Sequence, residues 1–164
     1  MQNHCDSSTL IVNYIRAISY SWIILCHLKF AMKKDGPIIV IDDDTDDTEL
    51  FKEVLSSLVT NEIVLLNDST IVIDYLLKEN CHPFLIISDI SMPKMNGFEL
   101  RDAMLNEPQI VEKKIPFLYF TSAWNEFTSE EAFKRPINGF FQKPNSIEKL
   151  KEVLGDLIDY WKER

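Results

Sequence analysis

From Pro37 onward, five short apolar runs alternate with stretches whose apolar residues recur at helical spacing. A strand that is apolar at every position, rather than at every second one, has both faces buried. Parallel sheets covered by helices on both sides bury strands in this way. The runs are Ile38–Ile41, Ile63–Leu66, the stretch from Leu85 to Asp89, Pro116–Phe120 and Gly139–Gln142. Helices are expected over Thr45–Val59, Ser69 to Glu79, Phe98–Asn106, Phe127–Arg135 and Ser146–Lys162, with Ser69 as a cap and Pro136 as a stop. The first carries Leu50, Val54, Leu55 and Leu58 on one stripe, with acids in its first turn where the helix dipole favours them. The last carries Ile147, Leu150, Val153, Leu154, Leu157 and Trp161. The pattern therefore reads as α/β, a doubly wound five-stranded parallel sheet flanked by five helices.

With 164 residues and 46% hydrophobic content, the chain has room for one domain with a real core plus an extension. Its net charge of -9 and pI near 4.8 argue against nucleic acid or an anionic membrane surface as partner. In residues 1–36, Arg16, Lys29, Lys33 and Lys34 outnumber Asp6 and Asp35 by two, so the remainder carries -11. Cys5, Cys26 and Cys81 are widely spaced, which suits free thiols of a reducing compartment and a cytoplasmic location. His4, His27 and His82 show no ligand spacing.

Residues 1–36 read as an N-terminal extension, and residues 37–164 as the domain. Leu10 to Met32 is apolar but broken by Arg16, His27 and Lys29, and a spanning helix wants about 20 predominantly apolar residues. Three readings of residues 1–31 stand open: leader sequence ahead of a true start at Met32, an amphipathic helix that docks on the domain or a partner, and a membrane anchor.

The chemistry gathers where the strands end. Strand one runs into Asp42-Asp43-Asp44, strand three into Asp89, strand four into Thr121-Ser122 and strand five into Lys143-Pro144. In a parallel sheet these ends share one edge, and open α/β sheets bind their ligands in the crevice there. Close carboxylates repel unless neutralised, and hard oxygen donors suit Mg²⁺. Lys143 adds a mobile positive charge and Thr121 a hydroxyl, both suited to phosphoryl oxygens. Such a site is suited to placing a phosphoryl group on a carboxylate.

These parts, in this order, resemble the receiver domain of two-component response regulators over Pro37 to Arg164, with the Met92-Pro93-Lys94-Met95-Asn96-Gly97 turn after Asp89 as a further match. The resemblance implies the flavodoxin-like strand order 2-1-3-4-5 and a phosphoacceptor at Asp89, supplied from a phosphohistidine of a sensor histidine kinase or histidine phosphotransfer protein. It implies Mg²⁺ bound by Asp43, with Asp42, Asp89 and the Ser91 main-chain carbonyl alongside. Thr121 and Lys143 would grip the phosphoryl oxygens, Lys143 pairing with Asp89 at rest. Phe140, in place of the commoner Tyr, would switch by packing alone, coupling Thr121 to the face made by helix four, strand five and helix five. A cis Lys143–Pro144 bond is implied as well. Ser91 occupies a position that tunes the lifetime of the phosphorylated state.

The implied protein is a stand-alone receiver that is not an enzyme beyond its own phosphotransfer and autodephosphorylation. It would act through protein contacts on a downstream target, with a homodimer through the helix-four, strand-five, helix-five face as one form. Trp124 and Phe127 are candidates for a docking patch or for core positions. A rival class is the haloacid dehalogenase type of phosphatase, whose Asp-x-Asp-x-Thr motif matches Asp44-Thr45-Asp46-Asp47-Thr48 within the Asp42–Asp46 cluster and its flank. That class leaves the Asp89 turn unexplained. A calcium loop over Asp42, Asp44, Asp46 and Glu53 has Asp47 at the position that needs glycine. A pseudo-receiver is disfavoured because every expected site residue is present.

Overall fold

The computed structural model describes residues 33–122 and 125–164, with residues 126 and 127 described by backbone only. The readings of residues 1–31, and the roles suggested for Trp124 and the Phe127 side chain, lie outside the described residues. Five parallel strands form one sheet: β1 (Ile38–Ile41), β2 (Ile63–Leu66), β3 (Leu85–Ser88), β4 (Phe117–Thr121) and β5 (Gly139–Gln142), in the order β2-β1-β3-β4-β5. The strands are legible because all but β2 and the ends of β5 are buried throughout. Ile41 pairs with Leu66 on one side and Ser88 on the other, and Thr121 pairs with Gln142, so the carboxyl ends are level along one edge.

The helices are α1 (Thr45–Leu58), α2 (Val72–Leu76, entered through a 3₁₀ turn at Ser69–Ile71), α3 (Gly97–Leu105), α4 (Pro108–Glu112), α5 (Glu126–Phe133) and α6 (Ile147–Lys162). The expectation of five helices is thus corrected to six among the described residues. The added one, α4, is five residues long, starts with Pro108 in its first turn and buries Ile110. One turn is too short for apolar periodicity to show.

Two local expectations also change. Asp68, not Ser69, caps the turn before α2, accepting from the Thr70 amide, while the Ser69 hydroxyl donates to the Met95 carbonyl at 2.7 Å. On α1 the buried face is Thr48, Phe51, Val54 and Leu55, so Phe51 takes the place expected of Leu50. Phe51 meets Phe120 edge to face at 5.4 Å, a geometry that aromatic pairs favour.

α1 packs against α6 on one side of the sheet. On the other side Ile39, Ile41 and Ile86 meet Val72 and Leu76 of α2, Leu100 and Met104 of α3, and Ile110 of α4. Burial on both faces leaves the sheet edge at the strands' carboxyl ends as the place where polar side chains collect.

Candidate functional site at the carboxyl edge of the sheet

Asp42 follows β1 directly and is 4% exposed. Its amide donates to the Leu66 carbonyl at 3.3 Å and its Oδ1 accepts from the Asp44 amide at 3.0 Å. The Asp44 carboxylate caps α1, accepting from the amides of Asp46 at 2.9 Å and Asp47 at 3.3 Å. This cap turns the chain so that Asp47, in the first helical turn, comes back over the sheet edge. It also occupies Asp44, the residue that a phosphatase reading needs as a reactive group.

Asp89 follows β3, the central strand, and is 8% exposed. Its amide donates to the Ile41 carbonyl at 2.8 Å, locking it beside Asp42. Its Oδ2 accepts from the Ser91 amide at 3.0 Å, whereas its Oδ1 is buried without a hydrogen bond. Gly97 explains why the loop after Asp89 closes so tightly. A Cβ there would lie 2.3 Å from the Asp89 carbonyl oxygen and 2.9 Å from Ile90 Cα, so only glycine fits. Tyr119 of β4 fixes the same point by donating its hydroxyl to the Gly97 carbonyl at 3.0 Å.

Lys143 completes the arrangement from β5. Its amide donates to the Thr121 carbonyl at 2.9 Å, and its Nζ donates to Asp42 Oδ2 and Asp47 Oδ2, each at 2.6 Å. Asp89 Oδ1 stands 3.8 Å from the same Nζ. The expected resting pair with Asp89 is present as an ion pair at 3.8 Å, while the lysine's hydrogen-bonded partners are Asp42 and Asp47. Asp47, in the first turn of α1, supplies the second of these bonds. Burial pulls the Lys143 amine down, but the bonds to Asp42 and Asp47 more than reverse this, and the net shift is upward. Burial raises the Asp42 carboxyl, which Lys143 and the Asp44 amide offset only in part.

Carboxylate oxygens of Asp42, Asp43 and Asp89 lie within 4.8 Å of one another, Asp43 being the exposed member. Three hard donors at this spacing, one with a buried oxygen that accepts no hydrogen bond, fit a divalent cation of the Mg²⁺ class. Thr121 is fully buried at the end of β4 on the same edge. Ser91 contributes its amide to Asp89 as described, and Phe140 is buried, its ring 6.3 Å from Tyr119 and 6.2 Å from Phe133. The Lys143–Pro144 peptide is trans, as is every described peptide, which corrects the cis expectation. Trans is the lower-energy isomer, and from it Lys143 still reaches the acids.

The sequence reading missed Asp47 as a site residue. The available signal was helical phase: a helix capped by Asp44 places its third residue back toward the strand end that precedes it.

Residues 38–155 match the response regulator receiver domain, and the chain belongs to that family. Its fold and acidic edge are those of a receiver in two-component signalling. Response regulator Rcp1 of Synechocystis is 24% identical over 132 residues, which cover 77% of this chain and 88% of Rcp1. Chemotaxis protein CheY1 of Helicobacter pylori is 28% identical over 117 residues, 71% of this chain and 92% of CheY1. Among solved structures, the phosphorylated cyanobacterial phytochrome response regulator RcpA superposes with a TM-score of 0.69 at 23% identity, covering 77% of this chain and 93% of RcpA. The Mn²⁺-bound form of Rcp1 gives 0.66 at 24% identity, covering 77% and 94%. These structures share the fold.

Proposed function

We propose that the chain accepts a phosphoryl group on Asp89 from a phosphohistidine of a sensor histidine kinase or a histidine phosphotransfer protein. The observation that carries this reading is Asp89 Oδ1, a buried carboxylate oxygen without a hydrogen bond at the open edge of the sheet, faced by a charged amine. In the transfer, an Asp89 oxygen bonds to phosphorus as the phosphorus–nitrogen bond breaks, and the departing imidazole keeps the electron pair. Asp42, Asp43, Asp89 and the Ser91 carbonyl would hold Mg²⁺, which would supply charge neutralisation at the site when bound. The Mn²⁺-bound Rcp1 structure supports a divalent ion in a fold of this kind.

Lys143 and Thr121 bind the transferred oxygens. The donor is already energetic, so positioning and electrostatics suffice, and no further catalytic activity is assigned. Signalling then passes to a downstream protein through the face formed by α5, β5 and α6, on which a homodimer would also form. A cytoplasmic location fits the three cysteines, and no described helix is long and apolar enough to cross a membrane.

Incubation with labelled acetyl phosphate and Mg²⁺ tests the proposal. Stoichiometric labelling of the wild type, lost in Asp89→Asn, is expected. Labelling that survives in Asp89→Asn, or sustained hydrolysis of phosphate esters, would favour the phosphatase class instead.

A further inference from the structure

We infer that Asp47 is a positioning residue that holds Lys143 away from Asp89 in the resting protein and so restrains phosphorylation. The inference rests on Asp89 as the phosphoacceptor. The ammonium of Lys143 is shared between two carboxylate oxygens at 2.6 Å, while the reactive carboxylate stands at 3.8 Å. Those two partners differ in how firmly they are fixed. Asp42 is buried, bonded to the Asp44 amide and continuous with β1. Asp47 has a side chain 37% exposed and sits on the first turn of α1.

A phosphoryl group adds about -1.5 to -2 charges beside the lysine. For Nζ to donate to its oxygens, the ammonium must move toward Asp89, by about the difference between a contact ion pair and a hydrogen bond. Asp42 lies on the Asp89 side of the site, within the same group of converging carboxylates, and can follow this move. Asp47 lies outside that group, so its bond is the one stretched. Its charge also repels the incoming phosphoryl donor. Both effects act in one direction: with Asp47 neutralised, Lys143 is free to serve the phosphoryl group and the entering anion meets less repulsion.

Asp47→Asn preserves size and helical compatibility, so its effect reads the charge. At saturating Mg²⁺ and subsaturating acetyl phosphate, Asp47→Asn is expected to be labelled about two- to fivefold faster than wild type, the scale of one partly exposed ion pair. The gain should shrink in a Lys143→Ala background, because only the lower repulsion of the entering anion remains there. An independent readout comes from metal-free resting protein with ¹⁵N-labelled lysine. The Lys143 ammonium protons should exchange with water faster in Asp47→Asn than in wild type.

Equal labelling rates in wild type and Asp47→Asn, an equal gain in the Lys143→Ala background, or unchanged proton exchange would each overturn the inference. Failure of the wild type itself to be labelled on Asp89 is a different result, since it removes the phosphoacceptor reading and the inference falls with it.

Discussion

Lys143 is held by two aspartates and faced by a third, and the energetics of the resting site turn on that one side chain. Removing one partner of a buried ion pair leaves the other charged and desolvated, typically at a cost of about 3–5 kcal/mol. The half-exposed Asp47 lessens that cost here, so Lys143→Ala is expected to destabilise the metal-free protein by about 2–3 kcal/mol, read as a lower urea midpoint. Mg²⁺ should then raise the thermal midpoint more in this variant than in wild type, because ligand binding to the native state stabilises it and the acids have lost their internal counter-ion. An equal Mg²⁺ effect in both would show that the cation and the lysine do not compete for the same charge. A second carboxylate answers to pH. Asp68 donates nothing but accepts from the Lys94 ammonium at 2.7 Å and from the Thr70 hydroxyl and amide, and these hold its carboxyl well below the usual range. A folded-state pKa lowered from 3.8 gives stability that is present above that value and lost as pH falls through the lower one. Urea midpoints of wild type and Asp68→Asn should therefore differ near neutrality, converge as pH falls below the ordinary aspartate range, and differ less in high salt, since the pair is exposed. Convergence on raising the pH instead would contradict the assigned cause.

At the scale of elements, the short helix α4 matters through the residue that ends it. Lys113 donates to the carbonyls of Leu76 at 2.5 Å and Cys81 at 2.8 Å, satisfying the end of α2 and the loop that leads to β3. Charged hydrogen bonds contribute about 1.5–3 kcal/mol each at most, and part of this is regained from water at a half-buried site. Lys113→Ala should therefore lower stability by about 1–2 kcal/mol, seen as a lower thermal midpoint with unchanged labelling of Asp89. Neither α4 nor this contact was legible in the sequence. A one-turn helix offers no repeat to read, and a lysine that reaches across to carbonyls thirty residues away leaves no local pattern. The strands were legible for the opposite reason: Ile38–Ile41, Ile63–Leu66 and Gly139–Gln142 fall where the apolar runs put them, because a strand shows its apolar residues as one local run. The site was legible as far as it depends on strand ends. Asp42, Asp43, Asp89, Thr121 and Lys143 meet at one edge because parallel strands impose it. Asp47 was not read as a site residue, since its place depends on the rotation of α1 set by the Asp44 cap, and acids in a first turn are already explained by the helix dipole.

Across the whole molecule, a packed route runs from the acidic edge to the α5-β5-α6 face. Gly97 abuts the Asp89 carbonyl, Tyr119 donates to the Gly97 carbonyl, Phe140 packs edge to face on Tyr119, and Phe133 of α5 lies against Phe140. From the opposite end of the site, Lys143 and Thr121 join β5 to β4 through their backbones. Phe140 is already buried in this resting chain, so any response there is a repacking within the core and not the entry of an exposed ring. Close-packed interiors pass displacements as discrete changes of packing, which gives the route a testable form. Phosphorylation of Asp89 should shift the amide resonances of residues 125–160, the part of the chain that contains α5, β5 and most of α6. In Phe140→Leu, which removes the ring contacts but keeps apolar volume, the shifts in α5 should shrink relative to those beside Asp89. Identical spectra over residues 125–160 in the resting and phosphorylated protein would show that the event at Asp89 stays local, and a downstream partner would then have to read the phosphorylated edge itself.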